Sequence, residues 1–287
     1  MNFRDRLAEV NARWNHPICV GIDPQPSEAG SFLHTEAVRT SPETFLTNYI
    51  RTMIDGAYQK AGVLKFQSAF FEKHGLAGIK ALESGLKYAK SKEFLCILDA
   101  KRGDISTTMT AYGEAAFDTL GADALTVTPY MGWDVFAPLV PWLKKDRGVY
   151  TVWLTSNAAA KDIQSVAVGA SGRTLTGHIA NLISNEARKI GVMSSIGWVA
   201  GATRTAELET EIAIFGEPVS LLLPGVGAQG GVIDADLKAI LRNNPTSLIP
   251  ISRGLTSIAE RSPKVKTWDH FGSEFASTLA SYVAQSR

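Results

Sequence analysis

Four charged residues follow an apolar run in the segment LCILDAKRGDIS (95–106). Asp99 and Lys101 are two residues apart, so on a β-strand their side chains project to the same side. Asp104 lies beyond this strand, near the start of the next predicted helix. Lys65 sits inside the earlier apolar run VLKFQ, where a charge is costly unless it is paired. The pattern predicts a Lys65–Asp99–Lys101–Asp104 network in which every charge has an opposite partner.

Eight short β-rich runs alternate with longer helical patterns along the chain. Such alternation indicates βαβ units and a parallel sheet, and eight units predict an α/β fold closed into a (β/α)8 TIM barrel. A doubly wound open sheet is the alternative. We expect one domain over residues 1–287, with an additional N-terminal helix in MNFRDRLAEVNARW. The predicted strands are 18–23, 63–67, 94–101, 124–130, 149–156, 194–202, 219–225 and 247–254, and the predicted helices are 43–61, 72–90, 104–120, 171–191, 204–215, 233–243 and 269–285.

Polar residues stand at the C-terminal end of nearly every predicted strand, which favours the barrel. In a barrel these ends converge on one mouth, where catalysis takes place. The charge network is therefore interpreted as catalytic, although a salt-bridge lattice that closes the mouth is the structural alternative. The Pro/Ser-rich segment 23–42 is expected to be a loop that covers the mouth. The polar strand-end residues are Asp23, Lys65, Asp99, Lys101, Ser156, Gln229 and Arg253.

Two loops near the end of the chain contain the groups that bind a phosphate. In a barrel, phosphate usually binds at the loops after strands seven and eight, which here are PGVGAQGG, starting at Pro224, and SRGL, starting at Ser252. Glycines allow close backbone approach, Gln229 supplies an amide and Arg253 supplies a guanidinium group. An ordinary strand-to-helix turn would explain the glycines alone, but it would not explain Arg253.

The composition argues against several classes of function. With 29 basic and 28 acidic residues the formal charge is +1, so no basic field attracts nucleic acid. No apolar run approaches the length of a membrane span, and the charged N-terminal helix is unlike a signal peptide. Cys19 and Cys96 lie in apolar runs, as expected for reduced thiols of a cytoplasmic protein. The five histidines are scattered, so no metal site is predicted.

The segment DAKRGDISTT, together with LKFQ, GIDPQ and LLPGVGAQGG, resembles orotidine 5′-phosphate decarboxylases, in their larger subgroup with extended loops. The resemblance covers nearly the whole chain. It implies a homodimer of (β/α)8 barrels that acts on orotidine 5′-phosphate with no metal or organic cofactor. It also implies that Lys65, Asp99 and Lys101 act in one active site, whereas Asp104 and Thr108 reach into the site of the neighbouring subunit.

The same resemblance implies roles for further residues. Lys101 is expected to stabilise the carbanion that remains at C6 of the orotate ring after CO2 departs, and then to protonate it. Asp23 resembles the acceptor for the ribose hydroxyl groups, and Ser156 resembles the residue that reads the amide edge of the pyrimidine. Their structural alternatives are a loop cap and a turn residue. Ser252 stands where many relatives have Gly, immediately before the phosphate-binding Arg253.

Two other functions remain open on sequence alone. A metal-dependent sugar-phosphate aldolase or decarboxylase of the same suprafamily would need a further acidic ligand, for which Glu72 is the candidate. A non-catalytic barrel that binds a nucleotide phosphate would keep Gln229 and Arg253 but could dispense with Lys101. We predict a decarboxylase that converts orotidine 5′-phosphate to uridine 5′-phosphate in pyrimidine biosynthesis.

Overall fold

The computed structural model of the protein describes residues 1–26, 29–170, 172–227 and 230–287. Within these ranges eight parallel strands form one sheet, and most of their residues are buried, as in a sheet that is covered on both faces. The strands are β1 (Ile18–Ile22), β2 (Val63–Gln67), β3 (Leu95–Arg102), β4 (Ala124–Val127), β5 (Gly148–Leu154), β6 (Ile196–Ala200), β7 (Ser220–Leu222) and β8 (Ile249–Ile251).

The sheet closes on itself because the first and last strands pair. β1 lies beside β8 with Ile18 opposite Ile249, and β7 is bridged to the residue before β8, with Leu222 opposite Leu248. The N–H of Leu248 donates to the carbonyl oxygen of Leu221 at 2.7 Å. The predicted (β/α)8 TIM barrel is therefore confirmed, and the open sheet is not formed.

Helices surround the barrel and connect most of its strands. None of those in the described ranges is both long and apolar enough to span a lipid bilayer. A short antiparallel hairpin at 167–168 and 173–174 lies in the connection between β5 and β6. The α-helices of the described chain are α1 (Phe3–Trp14), α2 (Phe32–Arg39), α3 (Pro42–Ala57), α4 (Ala69–Glu72), α5 (Gly75–Ser91), α6 (Ser106–Gly113), α7 (Val140–Leu143), α8 (Lys161–Gln164), α9 (Leu175–Lys189), α10 (Thr205–Ile212), α11 (Ala235–Asn243), α12 (Arg253–Arg261) and α13 (Trp268–Ser286).

The N-terminal helix α1 covers the end of the barrel opposite the mouth. Its first turn is closed by a capping box, in which the side chains of Asn2 and Asp5 each accept a hydrogen bond from the other residue's backbone N–H. Phe3 and Leu7 are buried, and the ring of Phe3 meets that of Tyr150 edge-on, with centroids 6.0 Å apart. The predicted additional helix is present, and it plugs the barrel.

The strand residues alternate between the barrel interior and the helical layer. On β3, Leu95 and Ile97 belong to the apolar cluster inside the barrel, whereas Cys96 belongs to the larger cluster beneath the helices. Asp99 and Lys101 continue the inward-facing series toward the mouth. β3 thus contributes apolar groups to the plugged end of the barrel and charges to the open end.

The segment 23–42 is not a continuous loop, so that expectation is wrong. It contains α2 and the first residue of α3. Ser31 caps α2 by accepting a hydrogen bond from the N–H of His34 at 3.2 Å. The buried side chain of Glu36 accepts a hydrogen bond from Nε1 of Trp268 at 3.1 Å. Contact with the distant α13 therefore stabilises a short helix that follows a stretch rich in Pro, Ser and Gly.

Other helical segments also differ from the predictions, and α7, α8 and α12 were not among the predicted helices. The helix predicted over 104–120 begins only at Ser106, and its last part, over 114–119, is a π-helical turn. The chain after β4 forms short helical turns at 132–135 and 137–139 that were not among the predicted helices. That stretch contains Gly and Pro, residues that lower intrinsic helix propensity.

Candidate active site

Lys65 and Asp99 come from the neighbouring strands β2 and β3 and form a buried ion pair. Nζ of Lys65 lies 3.0 Å from Oδ2 of Asp99, and Nζ of Lys101 lies 2.7 Å from Oδ1 of the same carboxylate. The side chains of Lys65 and Asp99 are 7% and 9% exposed, whereas that of Lys101 is 47% exposed. Asp99 thus holds one lysine in the interior and orients a second lysine that faces the mouth.

Two side chains that were not among the predicted site residues complete the environment of Asp99. Oγ1 of Thr126 donates to Oδ1 of Asp99 at 2.9 Å, and Nε2 of Gln67 donates to Oδ2 at 3.1 Å. The Thr126 hydroxyl also accepts a hydrogen bond from the backbone N–H of Lys101 at 2.9 Å. The described residues therefore give this carboxylate four donors, which fix its orientation.

The buried pair stays charged because its partners outweigh desolvation. Burial alone would raise the pKa of Asp99, but Lys65 and Lys101 hold that pKa well below its ordinary value. Burial alone would lower the pKa of Lys65, but the charges of Asp99 and Asp23 raise that pKa above its ordinary value. The interior of the mouth consequently holds a fixed carboxylate and a fixed ammonium group at neutral pH.

Lys101 has an unusual backbone conformation, with φ at 47°, in the left-handed region that most residues avoid. The pairing of β3 with β4 shifts in register between Leu98 and Arg102, so the strand is irregular at this point. Such local strain persists only where the surrounding structure enforces it, and it occurs often at functional sites. The hydrogen bond from the Lys101 N–H to Thr126 is one of the contacts that enforce it.

A cavity of about 360 Å³ occupies the mouth, next to the charge network. Its wall also includes apolar strand residues such as Val152, Val199 and Leu222, so one side is polar and the other is apolar. This combination suits a flat organic ring that carries polar substituents. Predicted site residues that line the cavity are Asp23, Lys65, Asp99, Lys101, Ser156, Pro224, Ser252 and Arg253.

Asp23 offers a hydrogen-bond acceptor to this cavity. Its Oδ1 is buried and has no hydrogen-bond partner among the described residues. Nζ of Lys65 lies 3.9 Å from this oxygen, close enough for attraction between the charges but too far for a hydrogen bond. A buried acceptor without a donor is costly, and a ligand hydroxyl group would satisfy it.

Ser252 and Arg253 lie at the start of α12, at another part of the wall. Helix N-termini present free N–H groups and the positive end of the helix dipole, which favours an anion. Ser252 approaches β1 so closely that a Cβ at Gly21 would lie 1.9 Å from its Oγ. Pro224 follows β7 and faces the same cavity. The predicted contact Gln229 lies outside the residues that the structure describes.

Asp104 and Thr108 do not line the cavity of their own barrel. Oδ1 of Asp104 accepts a hydrogen bond from the N–H of Ile105 at 2.8 Å, and Thr108 is exposed on α6. The segment after β4 carries the exposed apolar side chains of Tyr130 and Met131. These two predicted residues are therefore not among those that surround the cavity of their own barrel.

Glu72, the acidic residue that a metal-dependent enzyme would need, is engaged elsewhere. Its carboxylate forms an ion pair with Arg102 and accepts a hydrogen bond from the hydroxyl group of Ser68. Within the described ranges, no group of three or more His, Cys, Asp or Glu side chains is arranged to hold a metal ion. The described residues of the mouth therefore offer ammonium groups for the stabilisation of negative charge. They do not form a cluster of carboxylates that could hold a metal ion.

A parallel (β/α)8 barrel with charged residues at the strand ends around a cavity is the architecture of the barrel enzymes, so the chain belongs to that class. The chain belongs to the orotidine 5′-phosphate decarboxylase / HUMPS family, whose model matches residues 16–267. It is accordingly an enzyme of the carboxy-lyase class, and the family supports a role in pyrimidine biosynthesis.

Curated relatives and solved structures agree with this assignment. The chain is 35% identical to an orotidine 5′-phosphate decarboxylase of Roseiflexus castenholzii, with 88% of each chain covered. It is 33% identical to that of Verminephrobacter eiseniae, covering 88% of this chain and 89% of the relative. The structure of Leishmania donovani OMP decarboxylase matches with a TM-score of 0.71 at 28% identity, and 98% of each chain is covered. The chain spans 57% of L. donovani UMP synthase, with 97% of this chain covered, a TM-score of 0.73 and 30% identity.

Proposed function

We propose that the chain converts orotidine 5′-phosphate to uridine 5′-phosphate and CO2. The observation that carries this proposal is the array Lys65–Asp99–Lys101, in which a buried carboxylate directs a partly exposed ammonium group at the mouth cavity. The family membership supports the same reaction, since the curated relatives are named for it.

The cavity suggests where each part of the nucleotide binds. We place the phosphate at the N-terminus of α12, against Arg253 and Ser252, with Pro224 as a further contact. We also propose Gln229, from the glycine-rich sequence after β7, as a phosphate contact, because its side chain supplies an amide. The ribose hydroxyl groups would satisfy the buried Oδ1 of Asp23.

The pyrimidine ring then lies between the phosphate end and the charge network. Ser156, which lines the same cavity, is proposed to read the amide edge of the ring. C6 of the ring would face Lys101. In this placement the hydroxyl groups and the phosphate contact the polar side of the cavity, and the face of the ring packs against its apolar side.

The reaction follows from the charges. The C6–carboxylate bond breaks, CO2 departs, and the electron pair stays at C6, where no adjacent π-system delocalises it well. The ammonium group of Lys101 stabilises this carbanion and transfers a proton to C6. At an effective dielectric constant of about 20, a cation about 4 Å from the anion gains roughly 4 kcal/mol, or about a thousandfold in rate. Asp99 and Lys65 fix the ammonium group beforehand, so little reorganisation is needed.

We further propose a homodimer in which Asp104 and Thr108 complete the site of the neighbouring subunit. Two observations support this arrangement. Neither residue lines the cavity of its own barrel, and both lie in or beside α6, a segment that also carries the exposed apolar side chains of Ile105 and Tyr112. A two-fold partner would cover such a surface and bring Asp104 toward the partner's mouth.

Three broader properties complete the proposal. We propose that residues 1–287 form one domain, because a single apolar cluster runs from Ile18 on β1 to Leu279 on α13. We propose a cytoplasmic location, which the free and buried thiols of Cys19 and Cys96 support. We also propose that the reaction needs no metal or organic cofactor, since the chemistry above uses only side chains.

An ultraviolet assay with purified protein tests the function directly. Loss of the orotate absorbance on addition of orotidine 5′-phosphate, together with stoichiometric release of CO2, is the expected result. Activity should persist in EDTA. Loss of activity in EDTA that returns with a divalent metal would favour a metal-dependent enzyme. Tight nucleotide binding without turnover would favour a non-catalytic barrel.

A further inference from the structure

The segment Thr155–Asn157 follows β5 and lines the mouth cavity. Leu154, the residue before this segment, lines a second cavity of about 310 Å³ together with residues such as Gln164, Arg204 and Glu207. Side-chain hydrogen bonds from Arg204 and Gln164 fix Thr155 within this segment.

Arg204, in the turn between β6 and α10, donates two hydrogen bonds toward this segment. Its Nη1 donates to the carbonyl oxygen of Thr155 at 2.8 Å and to Oε1 of Gln164 at 3.1 Å. Its Nη2 forms an ion pair with Glu207. The guanidinium group thus connects the segment after β5 to the start of α10.

Gln164 completes the fixation of Thr155. Its Oε1 accepts a hydrogen bond from the Thr155 N–H at 3.0 Å, and its Nε2 donates to the Thr155 hydroxyl at 2.7 Å. That hydroxyl in turn donates to Oδ1 of Asn157 at 2.6 Å. The N–H, carbonyl and hydroxyl groups of Thr155 are all engaged, so the residue is held in a single orientation.

Ser156 follows directly and has little freedom to move. A Cβ at Gly201 would lie 2.7 Å from Cβ of Ser156, and the Gly201 N–H donates to the carbonyl oxygen of Leu154 at 2.7 Å. The segment is therefore pressed against the end of β6 on one side and held by Arg204 and Gln164 on another.

The network is costly if stability is its only purpose. The Arg204 side chain is 9% exposed, and its Nε is buried without a hydrogen-bond partner among the described residues. Burying a guanidinium group carries a desolvation penalty that apolar side chains of similar volume avoid. A contribution to the geometry of the mouth accounts for this cost, whereas a purely stabilising role does not.

We propose that Arg204 is a positioning residue: acting through Thr155 and Gln164, it fixes Ser156 and Asn157 for reading the base of the bound nucleotide. This inference rests on the proposed function, in which Ser156 faces the pyrimidine. Arg204 itself does not line the mouth cavity. It acts on the specificity of the site for the base, and it leaves the phosphate end unaffected.

Binding of two product-like nucleotides tests this role. Uridine and cytidine 5′-phosphate share the ribose phosphate but exchange hydrogen-bond donors and acceptors at the base edge. Arg204→Met should reduce the preference for uridine 5′-phosphate by roughly 3- to 10-fold, the equivalent of one hydrogen bond. It should also raise the KM for orotidine 5′-phosphate more than it lowers kcat. The affinity for inorganic phosphate should not change.

Arg188→Met is the matched control, because Arg188 also bonds a carbonyl oxygen and a glutamate, but far from the mouth. Its base preference should equal that of the wild type. If Arg204→Met fails to fold, Gln164→Met decides the question, since it removes the same fixation of Thr155 and keeps the arginine. A lower melting temperature with unchanged base preference would overturn the proposal. Absence of turnover by the wild-type chain would instead overturn the proposed function, because base preference is measured by binding alone.

Discussion

Replacement of Asp99 by Asn tests how the buried charges stabilise the barrel mouth. The substitution keeps the shape of the side chain but leaves Lys65 buried, with Asp23 as its remaining opposite charge in the described network. At an effective dielectric constant of about 20, unit charges at the observed 3.0 Å attract by roughly 5.5 kcal/mol. Because Lys65 has already been removed from water, we expect the free energy of unfolding to fall by about 3–5 kcal/mol at pH 7.

Urea denaturation followed by tryptophan fluorescence measures this loss. Glu83→Gln is the control, since it removes an ion pair with Lys87 in which both side chains are exposed, and it should cost less than about 1 kcal/mol. A loss for Asp99→Asn that is no greater than the control's would refute the reasoning. It would mean that Lys65 is neutral or solvated in the folded protein.

The pH dependence gives an independent check. The folded-state pKa of Asp99 lies below its ordinary value of 3.8, so its stabilising contribution is complete above pH 3.8 and is lost as the pH falls further. The gap in unfolding free energy between wild type and Asp99→Asn should therefore be constant near neutrality and narrow below about pH 4. A gap that narrowed between pH 7 and pH 5 would show that another group controls the difference.

The other predictions concern turnover, phosphate binding and the dimer. Lys101→Ala should lower kcat by more than about tenfold with the fold intact by circular dichroism; a smaller loss, under about 1.4 kcal/mol, would contradict its role. Arg253→Ala should weaken binding of the nucleotide by roughly 1.5–3 kcal/mol and leave binding of the phosphate-free nucleoside nearly unchanged, whereas equal losses in calorimetry would place Arg253 away from the phosphate. Inactive Asp104→Ala and Lys101→Ala chains, mixed under subunit exchange, should recover about a quarter of wild-type activity, since about half of the subunits enter heterodimers with one native site of two. No recovery, with heterodimers seen by mass spectrometry, would assign Asp104 to its own barrel.

The fold and the centre of the site could be predicted because both follow from local patterns. The alternation of strands and helices determines the barrel, and the spacing of Asp99 and Lys101 on one strand places both at the mouth. Lys65 is conspicuous because it interrupts an apolar run. Each of these signals lies within a single element, and the barrel topology then brings the elements together.

Other parts of the site depend on contacts between distant segments and leave little trace in the sequence. Thr126 lies in an ordinary β-rich run, and only the pairing of β3 with β4 brings its hydroxyl to Asp99. The link from Arg204 through Gln164 to Thr155 joins the turn before α10 to the end of α8 and to the segment after β5. A threonine inside a buried strand, such as Thr126, is a weak sequence signal of a polar contact in the interior. In the sequence alone, Arg204 and Gln164 resemble ordinary surface residues.

The pairing of β1 with β8 also has a consequence for how the protein is made. The paired residues Ile18 and Ile249 are roughly 230 positions apart, which at about 5–20 residues per second means roughly 10–50 s of translation. Until β8 emerges, β1 can pair with β2 but presents an open strand edge, a surface that invites pairing with other chains. The barrel can thus close only near the end of synthesis, and a nascent chain that stalls before β8 is exposed to aggregation.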